Sequence, residues 1–353
     1  MKIKVLHVIH SLNGGGAETQ SQLLAVGLAE LGVDSFFFCV KPEGHMLGGE
    51  ENIFRCSRSS KYDLGIYKQL NNVIKDIQPD VIHAWLPAVV TIPAMLLGWL
   101  YAIPVVFSYR NKMFFHRPIS YPEFAAALLF CNKIISNNFI GQSDKAFRWL
   151  YKKKKGETIY NAVALSQRKT VFALNNKTMF RLIFAGRLTK QKNIGFMLDA
   201  LKEINYRNDW YLDIYGVGEL ESNLKAQAQA LGLDSKVNFR GFCQNIGAEM
   251  CEADLLLFPS AYEGMPNILV EALSVGLPVI ASDIVAPRDV IKEVDCVSWF
   301  ALGDREGLLR SVTAFLDSPE SSLARIEEGL RITADLTVTA MAEKYNEQYR
   351  SLL

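Results

Sequence analysis

The sequence has almost no excess of charge of either sign: 38 Lys and Arg stand against 37 Asp and Glu, a net charge of +1 over 353 residues. That balance argues against a dedicated nucleic-acid-binding protein, which carries a basic excess. Hydrophobic residues make up 50% and charged residues 21%, so the chain is neither disordered nor collagen-like. Its length suits two domains, each with a core of its own.

The sequence also has few cysteines, and none of them form a C-x-x-C pair. The six are Cys39, Cys56, Cys131, Cys243, Cys251 and Cys296. Most lie in apolar segments, and the five histidines show no metal-ligand spacing with them. We therefore expect free thiols in a reducing compartment, the cytoplasm, and neither a metal site nor a cofactor.

One long stretch lacks charge altogether. Residues 84–109 carry no charged side chain and could span a bilayer by length. Three prolines, Pro87, Pro93 and Pro104, interrupt the stretch, and Val105–Ser108 reads as a strand. We predict a buried helix followed by a strand; a membrane protein without enzymatic activity is the alternative. The apolar run at residues 3–9 is too short for a signal peptide and predicts a first strand.

Apolar strands alternate with helical segments through both halves, which is typical of parallel α/β sheets. The predicted helices lie at 18–31, 64–77, 89–101, 194–204, 219–231 and 266–274. The predicted strands lie at 5–9, 35–40, 81–84, 105–108, 133–136, 178–185, 210–215, 237–241, 254–259 and 278–281. The fold class is therefore α/β with two Rossmann-like doubly wound domains, residues 1–163 and 164–336. An amphipathic helix is expected at 337–353.

The charge is divided between these halves. Residues 1–163 contain 18 Lys and Arg against 12 Asp and Glu, a net charge of +6. Residues 164–353 contain the other 20 Lys and Arg and 25 Asp and Glu, a net charge of −5. Two domains with opposite charge are expected to face different partners.

A glycine-rich loop follows the first strand. Gly14, Gly15 and Gly16 open a helix, where backbone N–H groups and the helix dipole favour an anion. Thr19 stands where the third glycine of a dinucleotide fingerprint belongs, and Lys41 rather than an acid follows strand 2. A nicotinamide oxidoreductase is therefore disfavoured, while a tight turn without a ligand stays open.

Two further loops carry polar groups after strands. Arg187 and Lys192 flank a short loop before a helix, where two cations suit a diphosphate or form a solvated basic turn. Glu263 follows another strand, and Pro266 is suited to the first turn of the next helix. Glu271 lies one turn inside that helix, and seven residues separate it from Glu263. Its carboxylate can accept two vicinal hydroxyls, or simply complement the helix dipole.

The spacing of Glu263 and Glu271 resembles the Glu, seven residues, Glu motif of retaining glycosyltransferases with the GT-B fold, family 4. The segments 186–192, 215–220 and 237–242 are similar to that family's diphosphate clamp, its G-x-G-x-L turn and the strand beside the nucleotide base. The resemblance implies that residues 1–163 bind the acceptor, that residues 164–336 bind the donor across an interdomain cleft, and that 337–353 packs back on the first domain.

The same resemblance assigns roles to individual residues. Glu263, Arg187 and Lys192 are the expected catalytic group, with the two cations on the donor diphosphate. The expected donor-binding residues are Gly15, Gly16, Gly216, Gly241, Phe242, Gly264, Met265, Pro266, Asn267, Ile268 and Glu271. His83, Arg110 and Asn111 are expected to bind the acceptor; Arg110 and Asn111 stand where many relatives carry a histidine.

The expected reaction is transfer of a hexose-type sugar, with retention, from a nucleotide-diphosphate sugar such as a UDP-sugar. The acceptor would be a glycan or a lipid-diphosphate-linked saccharide in cell-surface polysaccharide biosynthesis, and no metal would be needed. Two patches in the basic half suit peripheral contact with an anionic membrane at the inner face of the cell membrane. They are residues 148–155 and residues 112–117. A GT-B epimerase or phosphorylase is the alternative.

Overall fold

The protein is described by a computed structural model. It describes residues 2–12, 16–41, 52–56, 65–85, 90–110, 121–137, 149, 151–154, 156–163, 177–207, 209–263, 265–284, 291 and 295–353. The chain divides into two compact units: unit 1 is residues 1–162 with 336–353, and unit 2 is residues 163–335.

Unit 1 is built on a seven-stranded sheet in which every pair is parallel, in the order β3-β2-β1-β4-β5-β6-β7. The strands are β1 (Lys4–Ile9), β2 (Asp34–Cys39), β3 (Ile53–Arg55), β4 (Val81–Trp85), β5 (Val105–Tyr109), β6 (Lys133–Ser136) and β7 (Glu157–Thr158). The central strands β4 and β5 are buried at every residue. Such continuous apolar strands are expected where helices cover both faces of a parallel sheet.

The helices that cover that sheet include α1 (Gly16–Glu30), α2 (Gly65–Ile77), α3 (Thr91–Leu100), α4 (Tyr121–Phe130) and α11 (Val338–Arg350). Helix α2 buries Ile66, Leu70, Val73, Ile74 and Ile77, the spacing of one helical face. It shares one core with α3 and α4, whereas α1 and α11 share the core on the other face.

The close packing of α1 and α11 depends on a glycine. A Cβ added to Gly27 of α1 would lie 2.7 Å from Cβ of Ala342 in α11. On the same side of the sheet, Tyr345 and Tyr349 of α11 have no exposed surface. The last helix is therefore part of the core of unit 1.

Unit 2 is built on a second parallel sheet, of six strands, in the order β10-β9-β8-β11-β12-β13. The strands are β8 (Phe180–Ala185), β9 (Trp210–Tyr215), β10 (Val237–Gly241), β11 (Leu255–Phe258), β12 (Val279–Asp283) and β13 (Ser298–Ala301). The helices are α5 (Ile194–Leu201), α6 (Glu221–Ala230), α7 (Ile246–Glu252), α8 (Asn267–Val275), α9 (Arg305–Asp317) and α10 (Leu323–Thr333). Both faces of the sheet are again covered by hydrophobic clusters.

The predicted α/β class with two Rossmann-like parallel sheets is confirmed. The uncharged stretch contains helix α3 and strand β5, as predicted. Within the described parts of the chain, no helix is long and apolar enough to cross a membrane. One detail was wrong: Pro266 precedes helix α8 in an extended conformation (φ −80°, ψ 92°), so it stands at the N-cap and not in the first turn.

Candidate active site

Two glycine-containing turns of unit 2 are joined by their backbones. The first follows β8 and contains Gly186; the second follows β9 and contains Gly216. Gly186 N–H donates to Tyr215 O at 3.0 Å, and Leu188 N–H donates to Val217 O at 3.0 Å. The two turns therefore form one rigid edge beyond the carboxyl ends of neighbouring parallel strands, where open α/β sheets bind ligands.

Glycine is required where these turns meet. A Cβ on Gly216 would lie 1.9 Å from Gly186 O, and its φ is +132°. A Cβ on Gly218 would lie 2.4 Å from Leu188 O. The two glycines of the G-x-G pattern therefore let the backbones of the two turns approach each other closely. Glycine also adopts the positive φ of Gly216, which residues with a side chain disfavour.

Lys192 and Glu263 form an ion pair at this edge. Lys192 is the last residue of a short 3-10 turn, Lys190–Lys192, before α5. Its Nζ donates to Glu263 Oε1 at 2.6 Å. Nζ also lies 5.7 Å from the ring centroid of Phe258, at the end of β11. Two residues that the sequence placed in the catalytic group, 71 positions apart, are therefore in direct contact.

The loop that carries Glu263 is fixed by its neighbour Gln191. Ala261 N–H donates to Gln191 O, and Gln191 Nε2 donates to Tyr262 O, both at 2.8 Å. Ser282 Oγ donates to Ser260 O at 2.5 Å from the adjacent strand β12. These bonds fix the position of Glu263 beside Lys192 without using either charged group.

Glu271 lies in α8, whose first turn begins directly after Pro266. Its side chain is partly buried, and burial raises the pKa of its carboxyl above the ordinary value of 4.5. Met265 and Pro266 are buried, whereas Asn267 and Ile268 keep some exposure. Pro266 O accepts from the N–H groups of Leu269 and Val270, which starts the helix.

Three further residues from the predicted site, Arg187, Gly241 and Phe242, lie at the same edge. Arg187 is exposed, one residue beyond Gly186. Gly241 O accepts from Gly216 N–H at 2.7 Å, which brings the end of β10 to the same turn. Phe242 follows Gly241 and is 70% exposed, an unusual position for a large aromatic side chain.

Some predicted site residues lie outside the described residues: Gly15, Gly264 and Asn111. The membrane patch expected at residues 112–117 also lies outside them, as do Arg148 and Lys155 of the other patch. Gly16 is the first residue of α1. Across the described part of the chain, no cluster of three His, Cys, Asp or Glu side chains is placed to hold a metal ion.

Arg110 is a buried cation at the carboxyl end of β5 in unit 1. Its Nη1 donates to Asn161 Oδ1 at 2.5 Å, and its Nη2 donates to Tyr345 OH at 2.8 Å. Its guanidinium carbon lies 4.4 Å above the ring centroid of Trp85. Its Nε–H has no hydrogen-bond partner, and no carboxylate of the described residues pairs with it. A buried charge without a counter-ion is costly.

His83 has no exposed surface. Its Nδ1 lies 2.7 Å from Tyr349 OH, and its Nε2 lies 2.7 Å from Ser108 Oγ. Burial, with the nearby charges of His7 and Arg110, lowers its pKa well below 6.5. The structure therefore makes His83 a link between the last helix and the strand that leads to Arg110.

Sequence reasoning missed the residues that hold the site. Gln191 belongs to no recognisable pattern within its loop, and nothing in the sequence around Asn161 indicates a role. Tyr345 and Tyr349 lie in the amphipathic helix predicted at 337–353, and their hydroxyls contact Arg110 and His83. A hydroxyl on an otherwise apolar helix face was the available signal, since a buried Tyr hydroxyl usually has a partner.

The two parallel sheets, with glycine turns, cations and acids beyond their strands, define a GT-B glycosyltransferase. The family model "Glycosyl transferases group 1" matches residues 166–331, and "Glycosyltransferase Family 4" matches residues 14–167. The chain belongs to this family of glycosyltransferases. Membership selects glycosyltransferase over the oxidoreductase and the non-enzymatic membrane protein.

Curated relatives are similar over the whole chain or over part of it. An uncharacterized glycosyltransferase of Haemophilus influenzae is 24% identical and covers 97% of both chains. A Campylobacter jejuni protein is 30% identical over 46% of this chain and 44% of its own length. Its name is N-acetylgalactosamine-N,N'-diacetylbacillosaminyl-diphospho-undecaprenol 4-alpha-N-acetylgalactosaminyltransferase.

Among solved structures, Alr3699/HepE of Anabaena in complex with UDP and glucose is similar with a TM-score of 0.80. The match covers 99% of this chain and 100% of that one at 18% identity. At this identity the similarity concerns the fold.

Proposed function

We propose that the chain transfers a hexose-type sugar from a UDP-sugar, with retention of the anomeric configuration, to a glycan or a lipid-diphosphate-linked acceptor. The observation that carries the proposal is the contact of Lys192 with Glu263 beside the Gly186–Gly216 edge. A cation for a leaving diphosphate and an acid for sugar hydroxyls stand together where the fold binds ligands.

The donor would lie along this edge of unit 2. Arg187 and Lys192 would hold its diphosphate, the first by a planar fork and the second by a compact charge. Glu263 with Gly264, Met265, Pro266, Asn267 and Ile268 would contact the sugar, and Glu271 would accept the ribose hydroxyls. Gly216, Gly241 and Phe242 would lie beside the base, and Gly15 and Gly16 would contact the diphosphate.

The chemistry requires stabilisation of negative charge that develops on the leaving UDP. Arg187 and Lys192 would stabilise this charge electrostatically as the glycosidic bond breaks. We propose that these cations take the place of a metal ion. Same-face displacement, in which the acceptor hydroxyl attacks from the side that UDP leaves, accounts for retention without a covalent intermediate.

The acceptor side would be Arg110 of unit 1, with Asn111 next to it and His83 acting through Ser108, two residues before Arg110. The undecaprenyl-diphosphate substrate named for the C. jejuni relative makes a lipid-diphosphate acceptor a natural choice for this chain. Cell-surface glycan synthesis from the cytoplasmic side, at the inner face of the membrane, follows from that choice.

A panel of nucleotide sugars, screened by thermal shift and then by product analysis, tests the proposal. We expect stabilisation by UDP-sugars, an acceptor-dependent product whose proton coupling constant matches the donor anomer, and unchanged rates in EDTA. An inverted anomer would exclude retention, and loss of activity in EDTA would exclude metal independence. A product formed without an acceptor indicates an epimerase, and a requirement for inorganic phosphate indicates a phosphorylase.

Arg187→Ala tests the diphosphate site separately. Losing a charge-assisted hydrogen bond should weaken UDP binding by about tenfold or more in calorimetry. Arg305→Ala, at another exposed arginine of unit 2, is the control and should bind UDP normally. Equal UDP affinity in the two variants would show that Arg187 does not bind the diphosphate.

A further inference from the structure

Unit 2 contains a cavity at the edge of its sheet where the strands begin. The cavity has a volume of about 280 Å³ and is lined by the first residues of three strands: Leu255 of β11, Val279 of β12 and Ser298 of β13. The glycine turns and the Lys192–Glu263 pair lie beyond the ends of the strands. The length of the strands therefore separates this cavity from the candidate active site, by about 13 Å for the four residues of β11. We call it the amino-edge cavity.

The buried part of the cavity lining is apolar. Leu255, Val279, Ile280 and Phe315 each have at most 4% of their surface exposed. Ala314 of α9 completes this wall from a more exposed position. Ligand sites in proteins combine such apolar walls with a few polar groups that fix orientation.

The polar part of the lining is positively charged. Among the described residues that line the cavity, two are arginines, Arg310 of α9 and Arg325 of α10, and none is acidic. The half of the sequence that contains them, residues 164–353, has a net charge of −5. The cavity is therefore a local cationic site in the acidic half of the chain.

Both arginines keep donors that a ligand could use. Arg325 Nε donates to Asp295 Oδ1 at 2.9 Å, and its two terminal nitrogens have no partner within the described part of the chain. Arg310 lies 3.5 Å from a carboxylate oxygen of Asp304 and 3.6 Å from one of Glu306. Ion pairs this long and this exposed to solvent contribute little, so an anion can compete with them.

Hydroxyl groups add further donors to the cavity. The hydroxyls of Ser298, Ser311 and Ser322 line it and make no hydrogen bond to any other residue that the structure describes. Ser322 is only 8% exposed, and a polar group buried to this extent normally has a partner. An unpartnered, buried hydroxyl beside two arginines therefore points to a ligand that accepts hydrogen bonds.

We propose that the amino-edge cavity binds a small phosphomonoester, with its phosphate at Arg310 and Arg325 and its organic part against the apolar wall. A phosphomonoester carries a charge of about −2 and three acceptor oxygens, which match two guanidinium groups and the serine hydroxyls. A carboxylate offers one charge and two oxygens, which leaves part of this donor set unused. The volume lies at the lower end of the range of about 300–1,000 Å³ for ligand pockets, so the organic part must be small.

A ligand-observed NMR titration of the full chain tests the proposal, in phosphate-free buffer at constant ionic strength. The probe is phenyl phosphate, compared with inorganic phosphate, benzoate and phenol. We expect phenyl phosphate to bind most tightly, because the other three lack the apolar part, the second charge or any charge. Arg310→Gln with Arg325→Gln should weaken its binding about tenfold or more.

The matched control removes the same charge from the same two helices. Arg305→Gln with Arg331→Gln changes one exposed arginine of α9 and one of α10, neither of which lines the cavity. This variant should bind phenyl phosphate as the unchanged protein does. A thermal melt verifies that both double variants are folded.

A cavity-filling variant tests the position of the organic part. Ala314→Leu adds apolar atoms to the wall and should weaken the binding of phenyl phosphate more than that of inorganic phosphate. Ala324→Leu, at an exposed alanine of α10 outside the lining, is its control and should change neither affinity.

The donor site could also bind a phosphate, so the titration is repeated with Arg187→Ala, in which we expect phenyl phosphate to bind unchanged. Loss of binding in this variant would assign the phosphate to the donor site and overturn the proposal. The proposal would also be overturned by no binding of phenyl phosphate at millimolar concentration or by equal affinities in the cavity and control variants. Benzoate or inorganic phosphate that binds as tightly as phenyl phosphate would contradict the assigned class of ligand.

Discussion

Lys192 and Glu263 neutralise each other in unit 2: Nζ lies 2.6 Å from Oε1, and the two side chains are only 15% and 11% exposed. A donor diphosphate that binds Lys192 must therefore share it with Glu263 or displace it. The same pair keeps both charges compensated when no donor is bound, which reduces the cost of keeping them away from water.

Glu263→Gln should separate transfer from nucleotide binding. The amide keeps the shape of the side chain but removes its charge, so Lys192 becomes free to bind phosphate. We expect transfer to fall by at least about 100-fold, while UDP affinity in calorimetry stays equal or increases. Glu252→Gln, at an exposed acid of α7, should change neither quantity. Full transfer by the Glu263 variant would remove this residue from the catalytic group.

Tyr345→Phe should weaken the proposed acceptor site at Arg110 from a distance. It removes the hydroxyl that accepts from Arg110 Nη2 but keeps the ring in the core. We expect the KM for the acceptor to rise about fivefold, and Arg110→Gln to raise it further, with UDP affinity unchanged.

Tyr349→Phe is the matched control for that prediction. It removes a buried hydroxyl of the same helix, whose partner is His83. Its effect on stability should be similar, and its effect on the acceptor KM smaller. Equal KM values in the two variants would assign Tyr345 a purely structural role.

Gly216→Ala should distort the donor edge. The new Cβ would meet Gly186 O at 1.9 Å, and its φ of +132° disfavours any side chain. Gly303→Ala is the control, because φ there is +85° but no atom lies within 4 Å of the added Cβ. We expect the control to lose about 1 kcal/mol of stability and Gly216→Ala to lose several. If urea denaturation showed that the two variants lose similar unfolding free energy, the close approach of the two turns would not require glycine at position 216.

Unit 1 should lose stability in mild acid. Burial lowers the pKa of His7 from 6.5 to about 3 and also lowers that of His83, so the unfolded chain binds protons that the folded unit excludes. Stability is therefore complete above pH 6.5 and falls as the pH decreases below it, by at most about 1.4 kcal/mol per pH unit for each histidine.

Urea denaturation at pH 7.5, 6 and 5 measures this slope, and hydrogen exchange assigns the transition to unit 1. His7→Gln should reduce the slope, since it removes one titrating ring. A flat profile between pH 7.5 and 5 in the unchanged protein would contradict the prediction.

The sequence was most informative where one element contains its own periodicity. Apart from the short strand β3, the strands and helices before residue 110 were predicted within a few residues, because apolar runs and amphipathic faces are local signals. Helices α9 and α10 were missed, although Asp304 caps α9 by accepting from Gly307 N–H at 2.9 Å. Their patterns are less apolar, and their stability depends on packing against β13 and α8.

The site was predictable by residue type and not by contact. Glycines, cations and acids after strands indicated Lys192 and Glu263 separately, but a direct ion pair between them depends on two loops joined through Gln191. The environment of Arg110 was equally hidden, because Asn161 and Tyr345 lie 51 and 235 positions away. Such partners are set by the path of the chain.

Helix α11 completes unit 1 with residues that are synthesised after all of unit 2. Residues 163–335 form one continuous segment and can fold as soon as they leave the ribosome. The sheet of unit 1 must wait, with the faces of His83 and Arg110 uncovered, until residues 338–350 arrive. Unit 2, the proposed donor-binding unit, is therefore expected to mature first, and the proposed acceptor site of unit 1 last. A shortened chain that ends near residue 335 should bind UDP but fail to transfer sugar.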